Sequence, residues 1–90
     1  MGATAMVIDS REPDWVKNLE LGGLPKTILA LHCSDAMIAC DDGNVVLVER
    51  KTPNDLLGSI KDKRIFHQVT EMATVTRWAY VVISGTISYG

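Results

Sequence analysis

Residues Ala36 to Asp55 read AMIACDDGNVVLVERKTPND, and the fold turns on how this stretch is paired. Ala36 to Cys40 and Val45 to Val48 are apolar runs of strand length, separated by Asp41-Asp42-Gly43-Asn44. An Asp-Gly between two such runs is a strong hairpin signal. If Asp41, Asp42 and Gly43 form a three-residue loop with Gly43 left-handed, Cys40 pairs with Asn44. Counting outward then sets Asp35 opposite Glu49. A two-residue Asp42-Gly43 turn shifts the register by one and sets Asp35 opposite Arg50 instead.

The register matters because the second strand runs into three adjacent charges, Glu49-Arg50-Lys51. Side chains alternate along a strand, so Val45, Leu47, Glu49 and Lys51 share one face while Val46, Val48 and Arg50 share the other. Two strand rises put Glu49 and Lys51 about 6–7 Å apart. A carboxylate and an ammonium at that spacing can serve one centre, the first holding a divalent cation and the second offsetting charge on a phosphate. One carboxylate makes a poor Mg2+ site, so the three-residue loop has a chemical consequence: it supplies Asp35 as the second. Opposed acids without a cation would repel across the strand pair. On spacing alone, the three charges also read as a solvated strand end with cross-strand ion pairs.

Outward from the hairpin, Thr52-Pro53-Asn54-Asp55 opens a helix, with Thr52 at the N-cap and Pro53 at the first helical position. Leu56, Leu57 and Ile60 give its apolar face, and Gly58 with Lys61-Asp62-Lys63-Arg64 interrupts or bends it. Ile65, Val69, Met72 and Ala73 resume a helical period. Ala79 to Ile83 reads as a strand ended by Gly85, and Ile87 to Tyr89 as the start of another element. Upstream, Ala5 to Ile8 is a first strand. Glu12-Pro13-Asp14 starts a helix carrying Trp15, Leu19 and Leu21 and stopped by Gly22-Gly23. Thr27 to Leu31 is a further strand. Trp15, Trp78 and Met72 read as core. The order predicts an α/β fold, a mixed sheet flanked by helices.

Ninety residues make one small domain. No apolar run approaches the ~18 residues that span a bilayer, and Met1 to Asp9 lacks the basic start of a signal peptide. An intracellular location is expected: cytoplasm or nucleoid, or nucleus in a eukaryote. Cys33 and Cys40 read as reduced thiols, and with His32 and His67 they lack zinc-site spacing. The net charge of −2 argues mildly against a dedicated DNA binder, but the charge is uneven. Residues 1–49 hold three Lys/Arg against eight Asp/Glu, and residues 50–90 hold six against three.

Residues 49–55, ERKTPND, resemble the E-R-K-x-x-x-D signature of the XPF/Hef-type structure-specific DNA endonucleases, a branch of the PD-(D/E)XK nuclease superfamily. VIDSRE at Val7 to Glu12 is similar to the family's V-x-D-x-R-E opening, and Ser34-Asp35 falls where the family has Gly-Asp. DLLGSIKDKRIFHQ at Asp55 to Gln68 and AYVVISG at Ala79 to Gly85 resemble the helical region and strand that follow. Ser34 departs from the family's glycine, and Ala36 stands where an aromatic residue often follows the aspartate.

The resemblance implies a restriction-endonuclease-like fold and Mg2+- or Mn2+-dependent cleavage of phosphodiester bonds at branched, flap or fork DNA, in repair or recombination. It implies Asp35, Glu49 and the Arg50 carbonyl as metal ligands, with Asp9 and Glu12 as further candidates, and Lys51 as the catalytic lysine. Arg11, Arg50, Asp55, Arg64 and Gln68 would support the site or contact DNA. Asp55 is also explained by helix capping alone, and Lys61, Lys63 and Arg64 by a solvated face. The family usually dimerises, which implies a homodimer or a heterodimer with a related subunit. Residues 1–90 are expected to form a single nuclease domain, minimal or shortened at its C-terminus, without a helix-hairpin-helix module. The competing readings are a non-catalytic nuclease-like domain that binds DNA or a partner, and a general or junction-resolving nuclease of the same superfamily.

Overall fold

The computed structural model describes residues 2–85. It contains β1 (Ala3–Asp9), α1 (Asp14–Lys17), β2 (Lys26–Leu29), β3 (Ala36–Cys40), β4 (Val45–Lys51), α2 (Pro53–Lys61), α3 (Arg64–Val75) and β5 (Trp78–Ile83). The strands form one mixed sheet in the order β2-β1-β3-β4-β5. Antiparallel pairing joins β1 to β3 and β3 to β4, and parallel pairing adds β2 and β5 at the two edges. The expected α/β architecture, a restriction-endonuclease-like mixed sheet with helices, is therefore present.

Parallel neighbours need a crossover. The chain makes two, β1-α1-β2 and β4-α2-α3-β5, and they step to opposite edges of the sheet. Because β1 and β4 run the same way, crossovers of one hand fall on opposite faces. Val16 of α1 accordingly packs with Met6 and Ile8 on one face. On the other, Gln68 of α3 reaches Glu49, beside buried Leu47, Ile65 and Met72. The carboxyl ends of β1 and β4 and the start of β3 thus meet at one end of the sheet.

The hairpin takes the three-residue loop. The Cys40 N–H donates to the Asn44 carbonyl at 2.9 Å and the Gly43 N–H to the Cys40 carbonyl at 3.2 Å. Gly43 has φ 83°, a left-handed conformation that glycine adopts without Cβ strain. Ala39 pairs with Val45 and Ala36 with Val48; the paired register ends there, and the Asp35 N–H just before β3 donates to the Val48 carbonyl at 2.9 Å.

Several elements differ from the sequence expectation. The first helix is four residues long rather than reaching Leu21, because Pro13 offers no side-chain cap and Asn18 closes the turn. A helix that short leaves its apolar residues in solvent: Trp15, read as core, is 56% exposed, and Leu19 and Leu21 are also exposed. Met72 is fully buried, as expected, and Trp78 is half-buried. β2 stops at Leu29 instead of Leu31, since the Leu31 N–H and carbonyl are taken by Asp9 and Arg11 rather than by a ladder. β4 runs on through Lys51, where β5 stays paired with it as far as Ile83. The second helical stretch breaks at Asp62-Lys63, where Lys63 is left-handed with φ 67°. The element expected from Ile87 lies outside the described residues.

Candidate active site

Three carboxylates, Asp9, Asp35 and Glu49, gather in a row at one end of the sheet. Asp35 lies one residue beyond the last pairs of β3 with β1 and with β4, between Asp9 and Glu49. The Asp9 N–H donates to the Asp35 carbonyl at 2.8 Å, which ties those two residues together. These side chains border a cleft of about 280 Å³ whose far wall is Gln68 and Glu71 of α3 and whose rim includes Arg11 and His32.

Glu49 lines this cleft. It is only 8% exposed. Burial, with the Asp35 charge adding to it and Lys51 opposing, pushes its carboxyl up to about 7. Lys51 Nζ stands 3.8 Å from Glu49 Oε1 on the same face, and both side chains are largely shielded from water. Gln68 Nε2 donates to the same Oε1 at 3.3 Å, while Gln68 Oε1 is buried without a hydrogen-bond partner. Asp35 is held by the chain itself, its Oδ2 accepting from the Arg50 N–H at 2.8 Å.

Asp9 and Arg11 tie the loops at the rim together. Burial works against the Asp9 carboxylate, but the Leu31 N–H and the Arg11 guanidinium outweigh it and hold its pKa below the ordinary value. Arg11 also donates to the Leu31 carbonyl. The loop carrying Ser34 is thereby pinned beside the row.

Arg50 faces the other side, as strand alternation requires. Its guanidinium pairs with Glu12 at 2.8 Å, lies 5.6 Å from the Trp15 ring centroid and reaches Ser84 Oγ. Burial raises the Glu12 pKa, with Arg50 opposing and Asp35 adding to the rise. Glu12 is therefore committed to Arg50, though it still borders Asp35. Removing that guanidinium strands a carboxylate that is 6% exposed. Arg50→Ala should destabilise the fold by about 2 kcal/mol, less than a fully buried pair because Arg50 is partly solvated. Urea denaturation checks this, and Glu12→Gln in the Arg50→Ala background should recover part of the loss.

Two expected residues stand apart from the cleft. Asp55 is exposed in the first turn of α2, where its N–H donates to Thr52 Oγ1 at 3.2 Å. Arg64 is exposed and bonds to Asp62 at 2.7 Å. Glu71 was not singled out from sequence, yet it lines the cleft. Its signal is the helical period: Gln68 and Glu71 are three apart and so share a face.

The donor set suits a hard divalent cation. Asp35 and Glu49 offer carboxylate oxygens, the Arg50 carbonyl lies on β4 directly after Glu49, and burial, with the Asp35 charge adding to it, raises the Glu49 pKa against Lys51. Among the described residues, no group of three or more His, Cys, Asp and Glu side chains closes around one point. A cation held by two carboxylates would keep waters and leave room for a substrate phosphate, as Mg2+ sites commonly do.

A mixed sheet with crossovers on both faces, and a carboxylate–lysine cleft at the carboxyl ends of its parallel strands, defines a restriction-endonuclease-like α/β domain. The chain belongs to the ERCC4 domain family, which matches residues 8–90. It is 34% identical over 76 residues to the 3'-flap repair endonuclease Xpf of Saccharolobus solfataricus, an alignment covering 84% of this chain and 30% of that protein. The chain thus spans less than a third of the length of that relative. No solved structure matches significantly. No helix among the described residues is long and apolar enough to cross a membrane.

Proposed function

We propose that this domain is the catalytic part of a metal-dependent DNA endonuclease that cleaves phosphodiester bonds at branched, flap or fork structures. The observation that carries the reading is the juxtaposition of Asp35 and Glu49 in one cleft, with Lys51 Nζ beside Glu49, in a chain of this family. Asp35, Glu49 and the Arg50 carbonyl would hold Mg2+ or Mn2+, which when bound polarises the scissile phosphate and lowers the pKa of an attacking water. Lys51 offsets charge on the phosphate and orients the water. Gln68 fixes the Glu49 carboxylate through its Nε2. The rim loops pinned by Asp9 and Arg11 shape the entrance. A related subunit would complete the assembly on DNA, inside the cell.

The test is cleavage of labelled flap, fork, four-way junction and linear duplex DNA, with Mg2+ and with chelator. Metal-dependent cutting of the branched substrates ahead of the duplex is the expected result. Equal cutting of all four would make the domain a general nuclease. Binding with no cutting at any metal concentration would leave a DNA-binding scaffold and sink the catalytic reading.

A further inference from the structure

A chain of net charge −2 that places a row of carboxylates in its cleft must find cations elsewhere to hold a polyanion. Of its nine Lys and Arg, six are already held by an acidic side chain or a backbone carbonyl. Among the described residues, Lys61, Lys63 and Arg77 have no such partner. Lys61, the last residue of α2, and Lys63, in the turn before α3, are both exposed, and the one acid between them, Asp62, is neutralised by Arg64.

The local structure does not ask for lysine there. Lys63 is the one non-glycine residue with positive φ among the described residues, at 67°. Glycine or asparagine fits that conformation with less strain. It also caps α3 without any side-chain hydrogen bond, and a cation at a helix N-terminus opposes the macrodipole. A strained residue kept against local preference points to function. Phe66, three residues on and so on the adjoining helix surface, is 61% exposed. Gln68, at the wall of the cleft, is about 7 Å further along the α3 axis than Lys63, with Phe66 on the outer side of the helix, so the turn and the ring lie outside the cleft.

We propose that this turn is a second DNA contact: Lys61 and Lys63 take phosphates of an arm leaving the cleft, and Phe66 stacks on an unpaired base beside them. The proposal rests on the nuclease reading and names where its substrate lies. Cations with an exposed ring are the combination that holds single-stranded nucleic acid, because phosphates and base faces are recognised without regard to sequence.

The test is binding of labelled forked DNA and of a fully paired duplex in chelator, where no cutting occurs, across a range of salt. Lys61→Ala/Lys63→Ala should weaken binding about tenfold near 0.1 M salt. It should also flatten the dependence of log affinity on log salt by about 1.4 to 1.8, two contacts at ~0.7 to ~0.9 each. Lys61→Arg/Lys63→Arg should retain the wild-type slope. Lys17→Ala/Lys26→Ala, which removes the same charge from elsewhere, should leave the slope unchanged. Phe66→Ala should weaken forked DNA several-fold and the paired duplex little. Thermal melting confirms that the variants fold. If wild type binds forked DNA and the Lys61/Lys63 variant matches the Lys17/Lys26 control, the contact is elsewhere and the nuclease reading stands. If wild type binds no DNA, both fall.

Discussion

Glu49→Gln should reduce Mg2+-dependent cleavage of a flap substrate by roughly a thousandfold while leaving DNA affinity within a few-fold of wild type. Losing one positioned charge that acts on the transition state costs on this scale. The substitution keeps the shape of the side chain and its contact with Gln68, and it removes a carboxyl whose pKa burial raises to about 7. Folding should therefore survive, and the loss should fall on kcat. Lys51→Ala should give a comparable loss for a different reason. Its ammonium is the cation that faces Glu49 from the same strand face, with Nζ 3.8 Å away. If both act on one phosphate, the double variant should be little worse than either single one, because residues that function as a unit are not additive. Single-turnover kinetics with excess enzyme separate chemistry from binding. Wild-type rates in either variant would remove that residue from the reaction.

How much of this was legible in the sequence follows from which forces are local. The hairpin was readable from Asp41-Asp42-Gly43, but its register was not: the sequence admits a two-residue or a three-residue turn, and only the Cys40–Asn44 hydrogen bond selects the second. The opposite facing of Glu49 and Arg50 needs only strand alternation. The reach of the first helix was not readable. Trp15, Leu19 and Leu21 have helical spacing, but a short uncapped turn leaves them in solvent. The end of β2 was hidden for another reason: Leu31 is claimed by Asp9 and Arg11 from 22 and 20 residues away, a contact no local pattern encodes. Asp9 itself was flagged by its motif, but its place in the carboxylate row depends on β1 pairing with β3, a long-range choice. Glu71 fell between these cases. Its position follows from Gln68 and the helical period, but only once Gln68 is known to face the cleft.

Without divalent cations, the protein should be more stable near pH 5 than near pH 8, the reverse of a domain stabilised by paired carboxylates. Glu49 carries an ordinary carboxyl pKa near 4.5 when unfolded and about 7 when folded. Between those values the native state binds more protons than the unfolded state, so stability falls as pH rises. The gain is complete below about 4.5 and lost above about 7. A shift of that size is worth about 3 kcal/mol, or a fall in Tm on the order of 10–20 °C for a domain of this length. Glu12, raised by burial, adds in the same direction. Asp9 has the opposite sign, because its folded pKa lies below the ordinary value, and it acts only at more acidic pH than this window. Melting curves at intervals from pH 5 to 8 should therefore slope downward for wild type and much less for Glu49→Gln. At pH 8, adding Mg2+ or Mn2+ should restore wild-type stability in proportion to occupancy, since a ligand that binds only the folded state stabilises it. The same addition should do little for Glu49→Gln. A flat wild-type profile would mean that Glu49 is not held in the low-dielectric, like-charged setting that makes the cleft attractive to a cation.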